Sequence, residues 1–386
     1  MKILIATDKF KDSLTAKEVC EGLQRGILRT FPSAEIETLP LADGGEGTLE
    51  TLQSVWGGEF IACEVHDPLS RKIKANYLWI KEKQTAIIEM ARASGIELLK
   101  QNERNCLITS TYGTGELIKN ALEKGAKEII LTVGGSATND AGIGMASALG
   151  YDFLNKKGEI LEPIGKNLRE ISTINIEKIH PKLSQTKFIV ATDVSNPFYG
   201  KEGAAYVFSP QKGADNQVVK DLDLGLKNIN EIIKRDFSID LQTIAGSGAG
   251  GGIGGGAVAF LKAEIKSAAQ WILEINQIEN KLKNVDLLIS GEGKIDSQTW
   301  QGKLISQLVL RAEKAQTPVI LFCGTLHDVE SVINQKGVLY VTSILNEPMN
   351  LEKALENALE LVENQGALLG EMLGGIQFNS PAKLLL

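Results

Sequence analysis

The sequence predicts an α/β protein of two domains, in which a second α/β domain is inserted into a discontinuous Rossmann-like domain. The length of 386 residues suits two domains of roughly 100–200 residues each. Apolar strand-like runs alternate with helical patterns at both ends of the chain, which is the order that builds parallel sheets. In addition, three glycine-rich loops that carry acidic residues directly follow such runs, at residues 39–48, 133–140 and 288–296.

The N-terminal segment shows β-α-β-α order. A helix is expected over residues 15–31, because apolar residues recur at every fourth position and Thr15 and Glu18 have the spacing of a capping box. This order is typical of a parallel, doubly wound layer. The predicted elements are strands over 3–7 and 36–41, a polar turn over 8–14, and helices over 15–31 and 48–55.

The pattern changes near residue 58 to short strand-like runs separated by turn residues, which predicts an antiparallel stretch. The α/β alternation then resumes. The predicted strands are 59–65, 73–80, 85–90, 128–133 and 187–192, and the predicted helices are 113–124, 139–149, 216–236 and 263–282.

A second α/β region closes the chain. Its predicted strands are 285–290, 318–323 and 338–341, and its predicted helices are 303–315 and 351–365. We therefore expect residues 1–65 and 284–386 to form the Rossmann-like domain and residues 66–283 to form the insertion. The site is expected in the cleft between the two domains.

Composition excludes several classes of protein. The net charge of -7 argues against a general binder of nucleic acid or of membrane surfaces. No signal peptide and no uncharged apolar stretch of about 20 residues is recognisable. Four scattered cysteines without CxxC spacing argue against structural zinc and favour buried thiols in a reducing compartment, which predicts a cytoplasmic protein.

Several nucleotide-binding and catalytic motifs are absent from the sequence. There is no Walker A motif, no protein-kinase signature and no G-x-S-x-G elbow. The glycine run at 245–257 matches G-x-G-x-x-G, but a run so rich in glycine matches by chance and no clear strand precedes it. This run is either a linker or, since it is apolar, a closely packed loop or a lid over phosphates.

The glycine loops and the strand ends supply the candidate site residues. Glycine lets the backbone approach a ligand, and carboxylates are good ligands of Mg²⁺, so this combination favours a nucleotide–metal complex. Each group could alternatively serve only in turns and helix caps. The candidates are Asp8, Lys9 and Lys11 after the first strand, Asp43 and Glu46 in the first loop, Ser136, Thr138, Asn139 and Asp140 at an expected helix N-terminus, Asp193 and Asn196, Glu292, Lys294 and Asp296 in the third loop, and Arg104 with the hydroxyl-rich residues 109–115.

Taken together, these segments resemble the bacterial glycerate kinase family of the glycerate 2-kinase type, over roughly residues 1–370. Departures from the family pattern are small: Lys9 stands where serine is common, Asp12 where glycine is common and Cys106 where proline is common. The segments that carry the resemblance are Asp8-Lys9-Phe10-Lys11-Asp12-Ser13-Leu14, Ala42-Asp43-Gly44-Gly45-Glu46-Gly47-Thr48, Ile88-Glu89-Met90-Ala91, Ser94-Gly95, Glu103-Arg104-Asn105, Thr111-Tyr112-Gly113-Thr114-Gly115-Glu116, the loop 134–140, Asp193-Val194-Ser195-Asn196-Pro197, Pro210-Gln211-Lys212-Gly213-Ala214 and Gly291-Glu292-Gly293-Lys294-Ile295-Asp296.

The resemblance implies Mg²⁺-assisted, ATP-dependent phosphorylation of glycerate by a monomer or homodimer, with 2-phosphoglycerate favoured over 3-phosphoglycerate as the product. Two alternatives stay open: a kinase of another small hydroxy or sugar acid, and a ligand-binding sensor on the same scaffold without turnover.

Phosphoryl transfer depends mainly on positioning and charge neutralisation, and this suggests a role for each candidate. We expect Asp193 to accept the proton of the attacked hydroxyl, and Lys11 and Lys294 to steady the transferring group. Asp8, Asp43 and Asp296 would bind Mg²⁺. The expected substrate- and nucleotide-binding residues are Lys9, Arg104, Thr111, Gly113, Thr114, Gly134, Gly135, Ser136, Thr138, Asn139, Asp140, Asn196, Gly291, Glu292 and Gly293.

Overall fold

A computed structural model describes residues 1–42, 44–45, 47–333 and 335–375. The chain folds into two compact units, the first comprising Met1–Asp43 with Ala269–Leu386 and the second Gly44–Ala268.

The strands, in chain order, are β1 (Lys2–Ile5), β2 (Glu35–Thr38), β3 (Glu59–His66), β4 (Lys72–Ile80), β5 (Thr85–Glu89), β6 (Glu128–Thr132), β7 (Asp152–Leu154), β8 (Thr173–Asn175), β9 (Lys187–Ala191), β10 (Glu264–Lys266), β11 (Leu287–Ile295), β12 (Val319–Leu326) and β13 (Val338–Ser343). The helices are α1 (Ala16–Thr30), α2 (Thr48–Trp56), α3 (Ala91–Ser94), α4 (Tyr112–Lys124), α5 (Ile143–Ala148), α6 (Ala204–Phe208), α7 (Asn216–Phe237), α8 (Ile253–Leu261), α9 (Ala268–Ile275), α10 (Ile278–Leu282), α11 (Leu304–Ala315), α12 (Val329–Ile333), α13 (Leu351–Glu356) and α14 (Ala358–Gly375).

The first unit is built on a parallel sheet in the order β13-β12-β11-β1-β2. Because the central strands are covered on both faces, β1 is apolar almost throughout, as expected for a buried parallel strand. The predicted capping box is confirmed: the Thr15 hydroxyl accepts the Glu18 N–H at 3.2 Å and the Glu18 carboxylate accepts the Thr15 N–H at 2.8 Å. The β-α-β order at the N-terminus is thus as the sequence indicates.

Helices α1 and α14 lie unusually close together. A Cβ at Gly26 would stand 2.1 Å from the carbonyl oxygen of Glu363, so only glycine fits there. Arg25 adds an ion pair of 2.6 Å with Glu363. Helix α14 is thereby held in direct contact with α1.

The second unit is built on a mixed sheet in the order β10-β9-β6-β5-β4-β3. Strands β3, β4 and β5 pair antiparallel, which confirms the predicted antiparallel stretch. Strands β5, β6, β9 and β10 pair parallel, so their carboxyl ends share one edge. Strands β7 and β8 form a separate antiparallel pair.

The units begin and end at other residues than the sequence indicated. The first break falls after residue 43 rather than 65, because β3 pairs along its whole length with β4 of the second unit. The second falls at residue 269 rather than 284, since the expected helix over 263–282 is in fact β10 followed by α9 and α10. Whether the units are independent folding domains stays a prediction.

The glycine run at 245–257 is not a linker. Most of it is buried, and α8 begins within it. Gly251 has φ +76°, and a Cβ there would lie 2.0 Å from the Thr138 carbonyl oxygen. The run is therefore closely packed against the loop after β6, which is one of the two interpretations that the sequence left open.

None of the helices in the described ranges is long and apolar enough to cross a membrane. The four cysteines are free thiols, and three of them, Cys20, Cys106 and Cys323, are buried.

Candidate functional site

The predicted site residues cluster where parallel strands end. In the first unit, Asp8, Lys9 and Lys11 follow β1 and Asp296 follows β11. In the second unit, the loop 133–140 follows β6 and Asp193 follows β9. Ligands of open parallel sheets bind at this carboxyl edge, so the sheet topology of each unit places the candidates where binding is expected.

Asp8 is held in a defined position at the end of β1. Its backbone N–H donates to the Gly291 carbonyl at 2.9 Å, and its buried carboxylate accepts the Lys9 N–H at 2.7 Å. Lys11 is exposed, and its backbone nitrogen would lie 3.1 Å from a Cβ at Gly293. The absence of a side chain at Gly293 thus lets the 8–14 turn approach β11.

The third glycine segment is a strand, not a loop, and this corrects the expectation for Gly291, Glu292, Gly293 and Lys294. Strand β11 continues to Ile295, and Lys294 is in register with Thr325 of β12. Pairing with β12 outweighs the low strand preference of glycine and charged residues. Glu292 accepts the Thr299 hydroxyl at 2.6 Å, so its carboxylate is tied to the following turn.

Lys294 and Asp296 form an ion pair of 2.8 Å. The hydrogen bond from Lys294, together with the Gln298 N–H at 2.8 Å, lowers the pKa of the Asp296 carboxyl. Asp296 is therefore ionised at neutral pH, and both of its oxygens already accept a hydrogen bond.

Only some of the acids in the predicted glycine loops lie among the described residues. Asp43 and Glu46 lie outside the described residues. Within the described ranges, no three His, Cys, Asp or Glu side chains are grouped closely enough to hold a metal ion by themselves.

In the second unit, the helix after β6 begins later than predicted. Residues 139–142 are not helical, because Ala141 and Gly142 have φ of 57° and 73°, and α5 begins at Ile143. Ser136, Thr138, Asn139 and Asp140 therefore do not form a helix N-terminus. Instead, the Gly142 and Gly144 N–H groups each donate to the Asp140 carboxylate at 3.2 Å.

Asp140 is fully buried and surrounded by donors. Besides the two glycine N–H groups, the Thr111 N–H and hydroxyl each donate to it at 2.7 Å. Burial raises the pKa of the carboxyl, and these four hydrogen bonds oppose that rise. The arrangement ties α4 to the loop 134–140.

Thr111, Gly113 and Thr114, which were predicted to contact ligand, are buried at the start of α4. The Thr114 and Ser94 hydroxyls share a hydrogen bond of 2.7 Å, and a Cβ at Gly113 would stand 1.8 Å from the His66 carbonyl oxygen. Thr111 contacts the loop 134–140 directly through Asp140, and Thr114 contacts it through Ser94, whose carbonyl accepts the Ala137 N–H at 2.9 Å. Gly134 and Gly135, in contrast, are exposed.

Lys212 contacts the same loop and was not among the predicted site residues. Its side chain is fully buried, and Nζ donates to Ser136 Oγ at 2.6 Å and to the Thr138 carbonyl at 2.7 Å. Burial lowers the pKa of Lys212 to about 8. The signal in the sequence was the segment Pro210-Gln211-Lys212-Gly213-Ala214, which carried part of the family resemblance.

Other polar atoms beside Lys212 are buried without a hydrogen-bond partner in the described structure. They are Arg104 Nε, Thr138 Oγ1 and both side-chain amide atoms of Asn139. The Arg104 carbonyl oxygen is only 2.1 Å from where a Cβ of Gly213 would stand, so the backbones of these two segments touch. Buried polar atoms are usually hydrogen-bonded, so each of these atoms retains the capacity for a further partner.

Asp193 is exposed two residues beyond β9 and accepts the Ser267 hydroxyl at 2.7 Å. Asn196 donates to the Glu202 carbonyl at 2.8 Å, and its own carbonyl accepts the Gly248 N–H at 3.1 Å. The loop that carries Asp193 is thus anchored to the glycine run, while Asp193 itself stays at the surface of the unit.

Glu89 is a further buried acid that the candidate set omitted. Its carboxylate accepts the Leu49 N–H at 3.0 Å and pairs with Arg92 at 2.8 Å, and Arg92 also pairs with Glu50 at 2.6 Å. Burial raises the pKa of the Glu89 carboxyl. This cluster fixes α2, which begins just after the first glycine loop.

Comparisons with known proteins agree on one family. The description "Glycerate kinase family" matches residues 3–373. A glycerate kinase of Bacillus cereus is 43% identical over 363 residues, covering 94% of this chain and 95% of the relative. The glycerate 2-kinase of Escherichia coli is 39% identical over 360 residues, covering 93% and 94%. The crystal structure of a provisionally named glycerate kinase 2 from Salmonella typhimurium LT2 has a TM-score of 0.87 at 38% identity and covers 97% of this chain and 98% of that one.

Proposed function

Because this chain belongs to the glycerate kinase family, we propose that it transfers a phosphoryl group from ATP to glycerate, with the 2-hydroxyl as the acceptor and Mg²⁺ as the metal. The observation that carries the proposal is the match to this family over residues 3–373. Relatives with 39–43% identity over more than nine-tenths of the chain carry the names glycerate kinase and glycerate 2-kinase.

The residues of the first unit suit the polyphosphate and its metal. Mg²⁺ prefers carboxylate oxygens and needs only one or two of them besides phosphate and water. Asp8 provides a buried carboxylate, and Asp296 a carboxylate kept ionised by Lys294. Asp8 would hold the ion, and Asp296 would do so through water, since both of its oxygens already accept hydrogen bonds. The bound ion supplies neutralisation of the charge on the phosphate oxygens.

Two lysines add positive charge near these acids. Lys11 is exposed on the turn after β1, and Lys294 lies on β11 beside Asp296. In a loose transition state for phosphoryl transfer, charge is spread over the oxygens of the transferring group, so fixed cations stabilise it. We assign this role to Lys11 and Lys294, with Lys9, Glu292 and the glycines of β11 shaping the surface around them.

Asp193 is the proposed acceptor for the proton of the attacked hydroxyl. It is the exposed acid at the carboxyl edge of the second unit, and the Ser267 hydroxyl orients it. A carboxylate in this role would contribute by proton transfer late in the reaction. Arg104, Ser136 and the exposed Gly134 and Gly135 would surround the glycerate.

The test is ATP turnover with and without D-glycerate, with phosphorus NMR to assign the product. We expect glycerate-dependent ADP formation and 2-phosphoglycerate. Turnover of other hydroxy acids in preference to glycerate would contradict the substrate, and ATP consumption that ignores every acid would contradict the function. A product phosphorylated at the 3-hydroxyl would refute the regiospecificity alone.

The Asp193→Asn variant tests the proposed base. General-base catalysis contributes about 10²- to 10⁴-fold, so kcat should fall by about that factor while the KM for ATP stays nearly constant. The matched control is Asp221→Asn, which alters an acid on α7 that pairs with Arg169, and it should retain full turnover. Unchanged kcat in Asp193→Asn would remove this residue from the mechanism.

A further inference from the structure

We propose that Ser136, backed by the buried Lys212, binds the carboxylate of glycerate. This inference rests on the proposed function and names the residues that recognise the anionic end of its substrate. Lys212 acts through Ser136 and is therefore a positioning residue.

The buried charge of Lys212 is only partly compensated, because Asp140 acts on it through space without a hydrogen bond. An ammonium group has three N–H donors, and two of them are used, by Ser136 Oγ and by the Thr138 carbonyl. Among the described residues, no carboxylate accepts a hydrogen bond from Nζ. A buried cation without a paired anion is costly, so the fold retains at this point a charge that a bound anion would compensate.

The hydrogen bond between Lys212 and Ser136 can have only one direction. The ammonium can only donate, so Ser136 Oγ must accept, and its own hydroxyl proton points elsewhere. No acceptor for that proton occurs in the described ranges. Gly134 and Gly135, immediately before Ser136, are exposed. The serine therefore offers a charge-polarised donor at the open side of the loop.

Other buried polar atoms in the segments next to Lys212 also lack partners among the described residues. The donors Arg104 Nε and Asn139 Nδ2 are buried without partners in the part of the chain that the structure describes, and so are the acceptor Asn139 Oδ1 and the Thr138 hydroxyl. Among the described residues of this cluster the carboxylate is that of Asp140, and it already accepts four hydrogen bonds. Among the described residues, the cluster thus combines a buried lysine and an arginine with one acid that is already hydrogen-bonded, and this balance of charge favours an anion.

A substrate carboxylate fits this cluster better than the triphosphate of ATP. The triphosphate is bound with Mg²⁺, which takes carboxylate ligands directly or through water. Such acids occur in the first unit, at Asp8 and Asp296, whereas the acid beside Lys212 is enclosed by its four donors. The anion expected here is therefore the one that carries no metal.

The test compares Lys212→Met and Ser136→Ala with Lys220→Met, in which an exposed lysine of α7 is changed in the same way. A hydrogen bond to a charged group is worth about 10- to 100-fold in affinity. Both site variants should raise the KM for glycerate by about that factor, with the KM for ATP unchanged. The control should match the unaltered enzyme. If Lys212→Met does not fold, Ser136→Ala decides.

The pH dependence provides a readout that a purely structural lysine would not give. The titratable groups that act on Lys212 are Asp140 and Cys106, and the Arg104 backbone lies beside the adjoining Gly213. Burial raises the pKa of the Cys106 thiol to about 11, so it stays neutral. The KM for glycerate should rise above about pH 8 in the unaltered enzyme, and this rise should be lost in Lys212→Met.

The outcomes separate the two proposals. No turnover of glycerate by the unaltered enzyme would overturn the proposed function and this inference with it. Normal turnover with an unchanged KM for glycerate in Ser136→Ala would overturn the inference alone. An increase confined to the KM for ATP would assign the cluster to the nucleotide and would also overturn the inference. Activity that rises through pH 8 would indicate that a neutral lysine acts as a base, and it would overturn the inference too.

Discussion

Replacing Lys212 with methionine should change how the stability of the protein depends on pH. Methionine has a similar length and no charge, so it removes the titration of Nζ while filling most of its space. In the folded chain, burial lowers the pKa of Lys212 from 10.5 to about 8. The unfolded chain has the ordinary value, and the difference between the two is the source of the effect.

The sign follows from proton binding. Between about pH 8 and 10.5 the unfolded chain holds a proton on Lys212 that the folded chain has lost, so the free energy of unfolding rises with pH in this window. The cost of burying the charge is fully present below pH 8 and disappears by about pH 10.5. At ~1.4 kcal/mol per pKa unit, the difference of 2.5 units (10.5 − 8) amounts to about 3 kcal/mol.

The assay is urea unfolding of the full chain, followed by circular dichroism, for the unaltered protein and Lys212→Met at a series of pH values. The difference in unfolding free energy should be constant below pH 8 and should then shift by about 3 kcal/mol in favour of the unaltered protein by pH 10.5. The exposed control Lys220→Met should show no such shift. A difference that stays flat over the whole range would refute the idea that Lys212 is a buried cation.

Three further substitutions test other parts of the second unit. Gly251→Ala should lower the free energy of unfolding by about 2–5 kcal/mol, because φ is +76° and the new Cβ would lie 2.0 Å from the Thr138 carbonyl oxygen. Gly125→Ala, where φ is positive but the space is open, should cost about 1–2 kcal/mol. Equal losses of the two variants in thermal unfolding would contradict this expectation. Glu89→Gln should lower the free energy of unfolding by about 2–4 kcal/mol, because the half-buried Arg92 loses its buried ionic partner. Glu50→Gln, at the exposed end of the cluster, should cost much less, and the reverse order would count against the cluster. Asp140→Asn should lower the urea midpoint, since an amide cannot accept all four bonds; an unchanged midpoint would show that the carboxylate is dispensable.

Local signals in the sequence predicted the helices and strands whose own residues favour them. The capping box at Thr15 and the apolar β1 are examples, because cap chemistry and strand hydrophobicity are written in neighbouring residues. The late start of α5 could not be predicted, since nothing in the sequence shows that Ala141 adopts a positive φ. The extension of β11 depends on β12, more than 20 residues away.

The candidate site was predictable in outline for the same reason. Acids and lysines that follow apolar strands, such as Asp8 and Asp193, could be found from their position alone. Lys212 could not, because it lies in a polar turn and its burial results from contacts with Ser136 and Thr138, 76 and 74 residues away in the chain. For Asp140 the sequence could not show a structural role, because its hydrogen bonds to Thr111 depend on a segment 29 residues away in the chain; a ligand contact of Asp140 stays a prediction.

The position of β1 has a consequence for synthesis on the ribosome. Strand β1 is made well before β11, yet it lies between β2 and β11 in the sheet, and α1 packs on α14, which is made later still. The second unit is continuous in sequence and lies between the two segments of the first. During translation one edge of β1 therefore stays unpaired until β11 has been made, and an unpaired strand edge favours association with other chains.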